Sequence, residues 1–251
     1  MTGSLAIVGL GPGADDLRTA QAESVLAAAT ALVGYGPYLD RVPMREGQAR
    51  YASDNREELS RARHALELAS DGARVALVSG GDPGVFAMAS AVFEAIDGGD
   101  ARLRAIDVEV VPGITAMLAA AARLGAPLGH DFCAISLSDN LKPWDLVLRR
   151  LTAVAEAGLV IALYNPSSAA RPWQLGVALA HLRTLLPGET PVAFATAISR
   201  PEERIEVATL ATADASHADM RTLVLIGSVS TRVIEGAAGG VRLYTPRFWK
   251  P

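Results

Sequence analysis

Short apolar runs recur along this chain, each closed by glycine or proline and followed by a longer stretch at helical spacing. In the first half the runs are Leu5-Ala6-Ile7-Val8, Ala31-Leu32-Val33, Arg74-Val75-Ala76-Leu77-Val78 and Val108-Glu109-Val110-Val111. They read as buried strands, because both faces of each are apolar. Between them the spacing predicts helices over 17–28, 57–69, 86–94 and 114–124, the second capped by Asp54 or Asn55 and the last rich in alanine. Gly125-Ala126-Pro127-Leu128-Gly129 then breaks the periodicity and marks a domain boundary. Beyond it come strands over 132–137, 159–164 and 192–195 and helices over 144–156 and 173–185. Two further strands, 205–208 and 223–226, follow one another without a helix, so this half is expected to hold a mixed sheet. The fold class is α/β, with domains at 1–127 and 128–251.

Composition narrows the setting. The chain has 251 residues, half of them hydrophobic, and no apolar run approaches the roughly 20 residues that span a bilayer. The first strand begins at Leu5 with no secretory leader before it. Cys133 is the only cysteine, which excludes an intrachain disulfide and suits a reducing, cytoplasmic setting. A net charge of −4 lacks the basic footprint of a nucleic-acid binder. The histidines (His64, His130, His181, His217) form no ligand pair, so no metal site is expected.

The candidate chemistry gathers at strand ends. Ser79-Gly80-Gly81-Asp82-Pro83-Gly84-Val85-Phe86 joins a strand to a helix, the layout that places ligands at the carboxyl edge of a sheet. A plain tight connection explains it equally well when it is taken alone. Gly9-Leu10-Gly11-Pro12-Gly13-Ala14 fits the dinucleotide fingerprint literally, but Pro12 removes a main-chain donor. Tyr35-Gly36 also stands where that fingerprint expects the ribose-binding acid. Val111-Pro112-Gly113-Ile114-Thr115-Ala116 puts a hydroxyl at a helix start, with simple capping as the alternative. Tyr164-Asn165-Pro166, Phe194-Ala195-Thr196-Ala197 and Thr222-Leu223-Val224 are further strand ends, open to readings as a turn or as core. No nucleophile elbow, Walker loop or metalloprotease helix is present.

Taken together, Gly9-Leu10-Gly11-Pro12-Gly13, the loop 79–85, Pro112-Gly113-Ile114-Thr115-Ala116, Tyr164-Asn165-Pro166 and Leu225-Ile226-Gly227 resemble the tetrapyrrole methylase family. That resemblance implies two αβα domains with a cofactor and substrate cleft between them, a homodimer, and S-adenosylmethionine as methyl donor. It implies cofactor contacts at Pro12, Gly80, Gly81, Asp82, Val85, Thr115, Ala116, Asn165, Ala197 and Thr222. The acid that uroporphyrinogen-methylating members carry after the second-strand tyrosine is here Gly36, and its role does not transfer. Phe132-Cys133-Ala134-Ile135-Ser136-Leu137-Ser138-Asp139-Asn140-Leu141-Lys142-Pro143-Trp144 is similar to the subgroup that methylates carbon 17 of precorrin-3B while contracting the ring.

Ring contraction needs proton movement, for which Asp139, Lys142, Tyr35 and His130 are the candidates. Asp139 reads equally as a cap on the helix that starts at Pro143-Trp144. Asp82 is expected to order its loop rather than act as a base. The carboxylate arms of such a substrate call for a local basic lining, drawn from Lys142, Arg149, Arg150, Arg171, Arg200, Arg204 and Arg232. The alternatives are a cobalt-bearing macrocycle, a nicotinamide-dependent oxidoreductase and a non-catalytic tetrapyrrole carrier. The end of the chain, Tyr244-Thr245-Pro246-Arg247-Phe248-Trp249, is a dimer element or a tail.

Overall fold

The computed structural model describes residues 3–54, 57–235 and 240–248. The chain divides into two compact units, Met1–Thr115 and Ala116–Pro251. In the first unit the strands are β1 (Ser4–Gly9), β2 (Ala31–Tyr35), β3 (Ala49–Ser53), β4 (Arg74–Ser79) and β5 (Asp107–Val111). They form one sheet in the order β3-β2-β4-β1-β5, every neighbouring pair parallel. Its helices are α1 (Ala20–Ala28), the single turn α2 (Gly36–Leu39), α3 (Glu58–Ser70), α4 (Met88–Asp97) and the single turn α5 (Ala101–Arg104).

Side-chain alternation makes this a three-layer unit. Leu5, Ile7, Val33, Val75 and Leu77 face α3 and α4, packing with Ala62, Leu66, Met88 and Val92. Ala6, Val8, Leu32, Ala76 and Val78 face the other way, onto Ala22 and Leu26 of α1.

Several boundaries move from the sequence expectation for local reasons. Helix α1 starts at Ala20 because the Thr19 hydroxyl accepts the Ala22 N–H, while Leu17 closes a short 3-10 turn. Asp54 does not cap α3; the flanking Glu57 makes no side-chain cap, and the Asp54 carbonyl accepts from the buried Arg61 guanidinium. The other candidate cap, Asn55, lies outside the described residues, as does Trp249. Helix α4 begins at Met88 rather than 86, since Phe86 has φ +51°, a left-handed geometry no α-helix continues through.

The second unit carries α6 (Ala116–Leu124), the two-residue β6 (Gly125–Ala126), β7 (Phe132–Ser136), α7 (Trp144–Glu156), β8 (Val160–Tyr164) and α8 (Gln174–Leu182). β9 (Pro191–Thr196), β10 (Arg204–Thr209), β11 (Thr222–Ile226), β12 (Arg232–Glu235) and β13 (Val241–Tyr244) follow. Its main sheet has the order β10-β9-β11-β8-β7 and is mixed, as the adjacent late strands implied. β7 and β8 are parallel, and β11 runs against both β8 and β9. Ile135, Ile161, Leu163, Val192, Phe194, Val224 and Ile226 bury one face against Val147 and Leu151 of α7 and Leu175, Leu179 and Leu182 of α8. A small second sheet orders β12-β13-β6.

The division at 115/116 falls before the one expected at 127/128. The stretch 125–126 joins β13 as a paired strand, and α6 packs on β11 and β13, so both stay with the second unit.

Candidate active site

In the first unit β4, β1 and β5 are consecutive and parallel, so the loops that follow them emerge at one edge. These loops are tied by main-chain bonds. Gly11 and Gly81 exchange both N–H···O contacts, at 3.1 and 3.0 Å, and the Leu10 N–H donates to the Ser79 carbonyl at 2.9 Å. The Asp82 carboxylate completes the tie, accepting the Gly84 N–H at 2.8 Å through one oxygen and the Gly113 N–H at 3.0 Å through the other. Both oxygens thus hold backbone, which fits the expectation that Asp82 orders the loop.

The approach leaves no room for side chains. A Cβ on Gly113 would stand 2.3 Å from the Gly81 carbonyl oxygen, and one on Gly80 would stand 2.7 Å from the Tyr38 ring. Tyr38 meets Tyr35, at the end of β2, edge to face with ring centroids 5.4 Å apart. Tyr35 therefore sits beside the loop after β4, the strand with which β2 pairs.

One contributor was invisible in the sequence. The Arg41 guanidinium donates to the carbonyls of Leu10 at 2.8 Å and Gly11 at 3.1 Å, clasping the first glycine turn around Pro12. Arg18, 8% exposed, donates in turn to the Arg41 carbonyl at 2.9 Å. No motif marks either arginine; only the folded path of the chain brings them to the turn.

In the second unit the matching edge is formed by the ends of β7, β8 and β9 and the start of β11. Ser136 lies opposite Tyr164, Thr196 opposite Thr222, and Val224 opposite Leu163, which sets Thr222 level with Asn165. Asn165 has φ +52° and Ala197 φ +50°, left-handed values that only a local constraint sustains in residues with a Cβ. Asn165 donates its amide to the Ser136 hydroxyl at 2.9 Å, and the Ala197 N–H donates to the Arg221 carbonyl at 3.0 Å. The Thr196 and Thr222 hydroxyls are buried and 2.8 Å apart. Asp219 supports Thr222 by accepting from its hydroxyl; burial pushes the Asp219 carboxyl up, but the Arg221 N–H, the Arg221 guanidinium and the Thr222 hydroxyl together bring it below its ordinary range. The Tyr164 hydroxyl accepts the Met117 N–H at 3.1 Å, fixing the start of α6 and with it Ala116 to the end of β8. Thr115, just before, is buried.

The acid–base candidates separate. Asp139 and Lys142 follow β7 at the same edge as Asn165. Asp139 does not cap α7, whose flanking Pro143 has no side-chain cap; its carboxylate accepts from the Gln174 amide at 3.1 and 3.2 Å. Lys142 donates to the Ser138 carbonyl at 2.8 Å. Burial lowers its ammonium below the usual lysine range, Arg150 and Arg171 lower it further, and Asp139 opposes them.

His130 precedes β7, so it stands at the opposite end of that sheet from Asp139, with its ring 3.6 Å from the Asp131 carboxylate. Arg232 is also remote from the lining proposed for it. It lies with Pro187, Glu189 and Pro191 around a separate cavity at the start of β9. Arg204 is spent in part on an ion pair with Glu206 at 3.0 Å.

These residues suit S-adenosylmethionine. Gly80 and Gly113 let these loops pack against the Tyr38 ring and the Gly81 carbonyl with main-chain groups at the edge, and the loop 79–86 carries no lysine or arginine. Within the second unit, the Thr196 and Thr222 hydroxyls and the Asn165 amide form a polar group of their own at one sheet edge.

Comparison with known proteins gives the following matches. The description of tetrapyrrole (corrin/porphyrin) methylases matches residues 4–214. A Sinorhizobium protein named precorrin-3B C(17)-methyltransferase is 58% identical over 249 residues, covering 99% of this chain and 98% of that one. A Salmonella typhimurium protein named probable cobalt-factor III C(17)-methyltransferase is 39% identical, covering 96% of this chain and 99% of that one. The crystal structure of the methyltransferase CobJ superposes with a TM-score of 0.93 at 49% identity, covering 97% of this chain and 100% of that chain.

Proposed function

The chain belongs to the tetrapyrrole (corrin/porphyrin) methylase family, and from that premise we propose methyl transfer from S-adenosylmethionine to carbon 17 of precorrin-3B with contraction of the macrocycle. The observation that carries this is the 58% identity with the Sinorhizobium methyltransferase over nearly the whole of both chains. The cobalt-factor III enzyme, at 39%, is more distant, and the cobalt-bearing macrocycle is the second choice of substrate. A nicotinamide-dependent reaction lacks its ribose acid at Gly36.

Members of this family depend on S-adenosylmethionine, which supplies an electrophilic methyl group on a positively charged sulfur. The protein's own task is alignment and charge placement, because the substrate's conjugated ring carbon is already nucleophilic. The tied loops after β1, β4 and β5 hold backbone carbonyls and N–H groups in place before binding, so little ordering is required when the cofactor arrives. Asn165, Ala197 and Thr222, with Thr115 and Ala116, are proposed as the remaining cofactor contacts; Pro12 and Val85 lie within the glycine turns. For the proton movement of ring contraction we propose Asp139, with Tyr35 as a second candidate. His130, at the far end of its sheet, is left out.

No helix among the described residues is long and apolar enough to cross a membrane. A cytoplasmic homodimer is proposed with this activity. Its support is the single cysteine and the exposed Val233, Ile234 and Val241 on the β12–β13 pair. Light scattering on the eluting protein tests the dimer, and a monomeric mass at micromolar concentration would refute it.

Calorimetric titration with S-adenosylhomocysteine, NAD and NADP tests the cofactor, followed by turnover with precorrin-3B and its cobalt-bearing counterpart. Tight binding of the first alone, with methylation of the metal-free ring, is expected. Binding of NAD in its place would sink the proposal.

A further inference from the structure

Three buried polar atoms without a hydrogen-bond partner sit close to Asp139 and Lys142 in the chain's fold: Trp144 Nε1, Arg171 Nη1 and Gln174 Oε1. Trp144 opens α7, directly after the segment that follows β7. Arg171 and Gln174 lie between β8 and the first turn of α8. β7 and β8 are parallel neighbours, so these segments leave the sheet side by side. Direct contacts knit them together. Trp144 and Trp173 meet edge to face with centroids 5.0 Å apart, and Gln174, 1% exposed, donates its amide nitrogen to Asp139. Lys142 feels the charges of Arg150, Asp139 and Arg171.

The corner is short of an anion. A buried donor left unmatched is costly, more so when it is charged, and native proteins rarely leave several such atoms together. Trp144 and Arg171 each offer an unmatched N–H, and Lys142 has used one of its three donors, on the Ser138 carbonyl. Lys142 faces the charges of Arg150 and Arg171 as well as that of Asp139. A planar anion with two acceptor oxygens matches this set, and guanidinium recognises such a group better than any other side chain. Inorganic sulfate would suit the charge but would leave the apolar wall of Trp144 and Trp173 unused; an acid carried on an aromatic macrocycle uses both.

We propose that Arg171, Lys142 and the Trp144 indole form the recognition pocket for one carboxylate arm of the tetrapyrrole, with Gln174 as the positioning residue that holds Asp139 beside it. This rests on the tetrapyrrole reading given above and deepens it. The remaining acceptor, Gln174 Oε1, takes a proton donor that accompanies the acid, either a water or a ring N–H. The pocket belongs wholly to the second unit and fixes which arm, and so which face and edge of the ring, is presented.

The test uses the full chain with uroporphyrin, a stable porphyrin bearing eight carboxylates, and its octamethyl ester, followed by fluorescence. The wild type is expected to bind the acid at least tenfold more tightly than the ester. Arg171→Gln should lose roughly tenfold for the acid, and Trp144→Phe, which keeps the ring contact with Trp173, and Lys142→Gln several-fold each. The preference for acid over ester should shrink in step, while S-adenosylhomocysteine affinity and the melting temperature stay near wild type. In turnover, Arg171→Gln should raise KM for the macrocycle far more than it lowers kcat. Equal acid and ester binding by the wild type, or an Arg171→Gln protein with unchanged porphyrin affinity and unchanged KM, overturns the pocket and leaves the corner holding ordered water only. If acid preference depends on Arg171 but no methyl transfer to either macrocycle is seen, the pocket stands and the methylation proposal falls. Intact methylation with no loss in any variant has the reverse meaning.

Discussion

Asp82 carries two backbone N–H groups on one carboxylate, and each such charge-assisted bond is worth roughly 1.5–3 kcal/mol. Asp82→Ala should therefore weaken S-adenosylhomocysteine binding by about ten- to a hundredfold through loss of loop order. Asp82→Asn, which still accepts one of the two bonds, should fall between. The pH dependence of kcat/KM should keep its wild-type shape in both; a vanished acidic limb would show that Asp82 acts as a base. Gly113→Ala is a harsher change. Its Cβ would meet the Gly81 carbonyl oxygen at 2.3 Å, so the loops must part. A loss of about 3 kcal/mol is expected, read as a fall in melting temperature of roughly 6–12 °C. At this scale the sequence was informative about identity and silent about partners. Asp82 could be singled out from its loop, yet its bond to Gly113 joins segments that only folding brings together. Asp139 was legible as a polar residue before a helix, open equally to acid–base work and to capping; it does not cap, and its partner Gln174, 35 positions away, could not be read from the sequence.

At the scale of elements, the buried strands were the legible part, since β1, β2, β4 and β8 are apolar on both faces and end in glycine, tyrosine or serine at the site. β3 was missed because it is an edge strand, Ala-Arg-Tyr-Ala-Ser, with exposed and half-buried residues and no apolar run. β12 and β13 are mostly exposed and were missed for the same reason. β7 offers a test of its packing. Burial pushes the Cys133 thiol up to about 11 from 9.0. The thiolate fraction at pH 8 is then about a hundredfold below that of an unfolded thiol, and alkylation by iodoacetamide should slow accordingly. Rapid alkylation of the native protein at that pH would contradict the burial of the strand. Because the folded pKa is the higher one, any stability that Cys133 contributes is complete below pH 9 and is lost as pH rises toward 11.

For the whole molecule, a ligand that binds only the folded chain adds RT ln(1 + [L]/Kd), about 2.7 kcal/mol at a hundredfold excess over Kd. S-Adenosylhomocysteine at that excess should raise the melting temperature by roughly 5–10 °C, and NAD at the same concentration should leave it unmoved. A shift with NAD alone would point back to the dinucleotide fingerprint of the first turn. The tie between Gly11, Gly81, Asp82 and Gly113 has a bearing on synthesis as well. Its strands emerge from the ribosome far apart in time, and the last bond waits for β5, after β1, β4 and their helices are in place. A nascent chain that stops short of Gly113 can pair Gly11 with Gly81 but lacks the Asp82–Gly113 bond that ties the third loop to them. The edge of the first sheet is thus closed last by its outermost strand, and loop order there reports that the first half of the chain has finished folding.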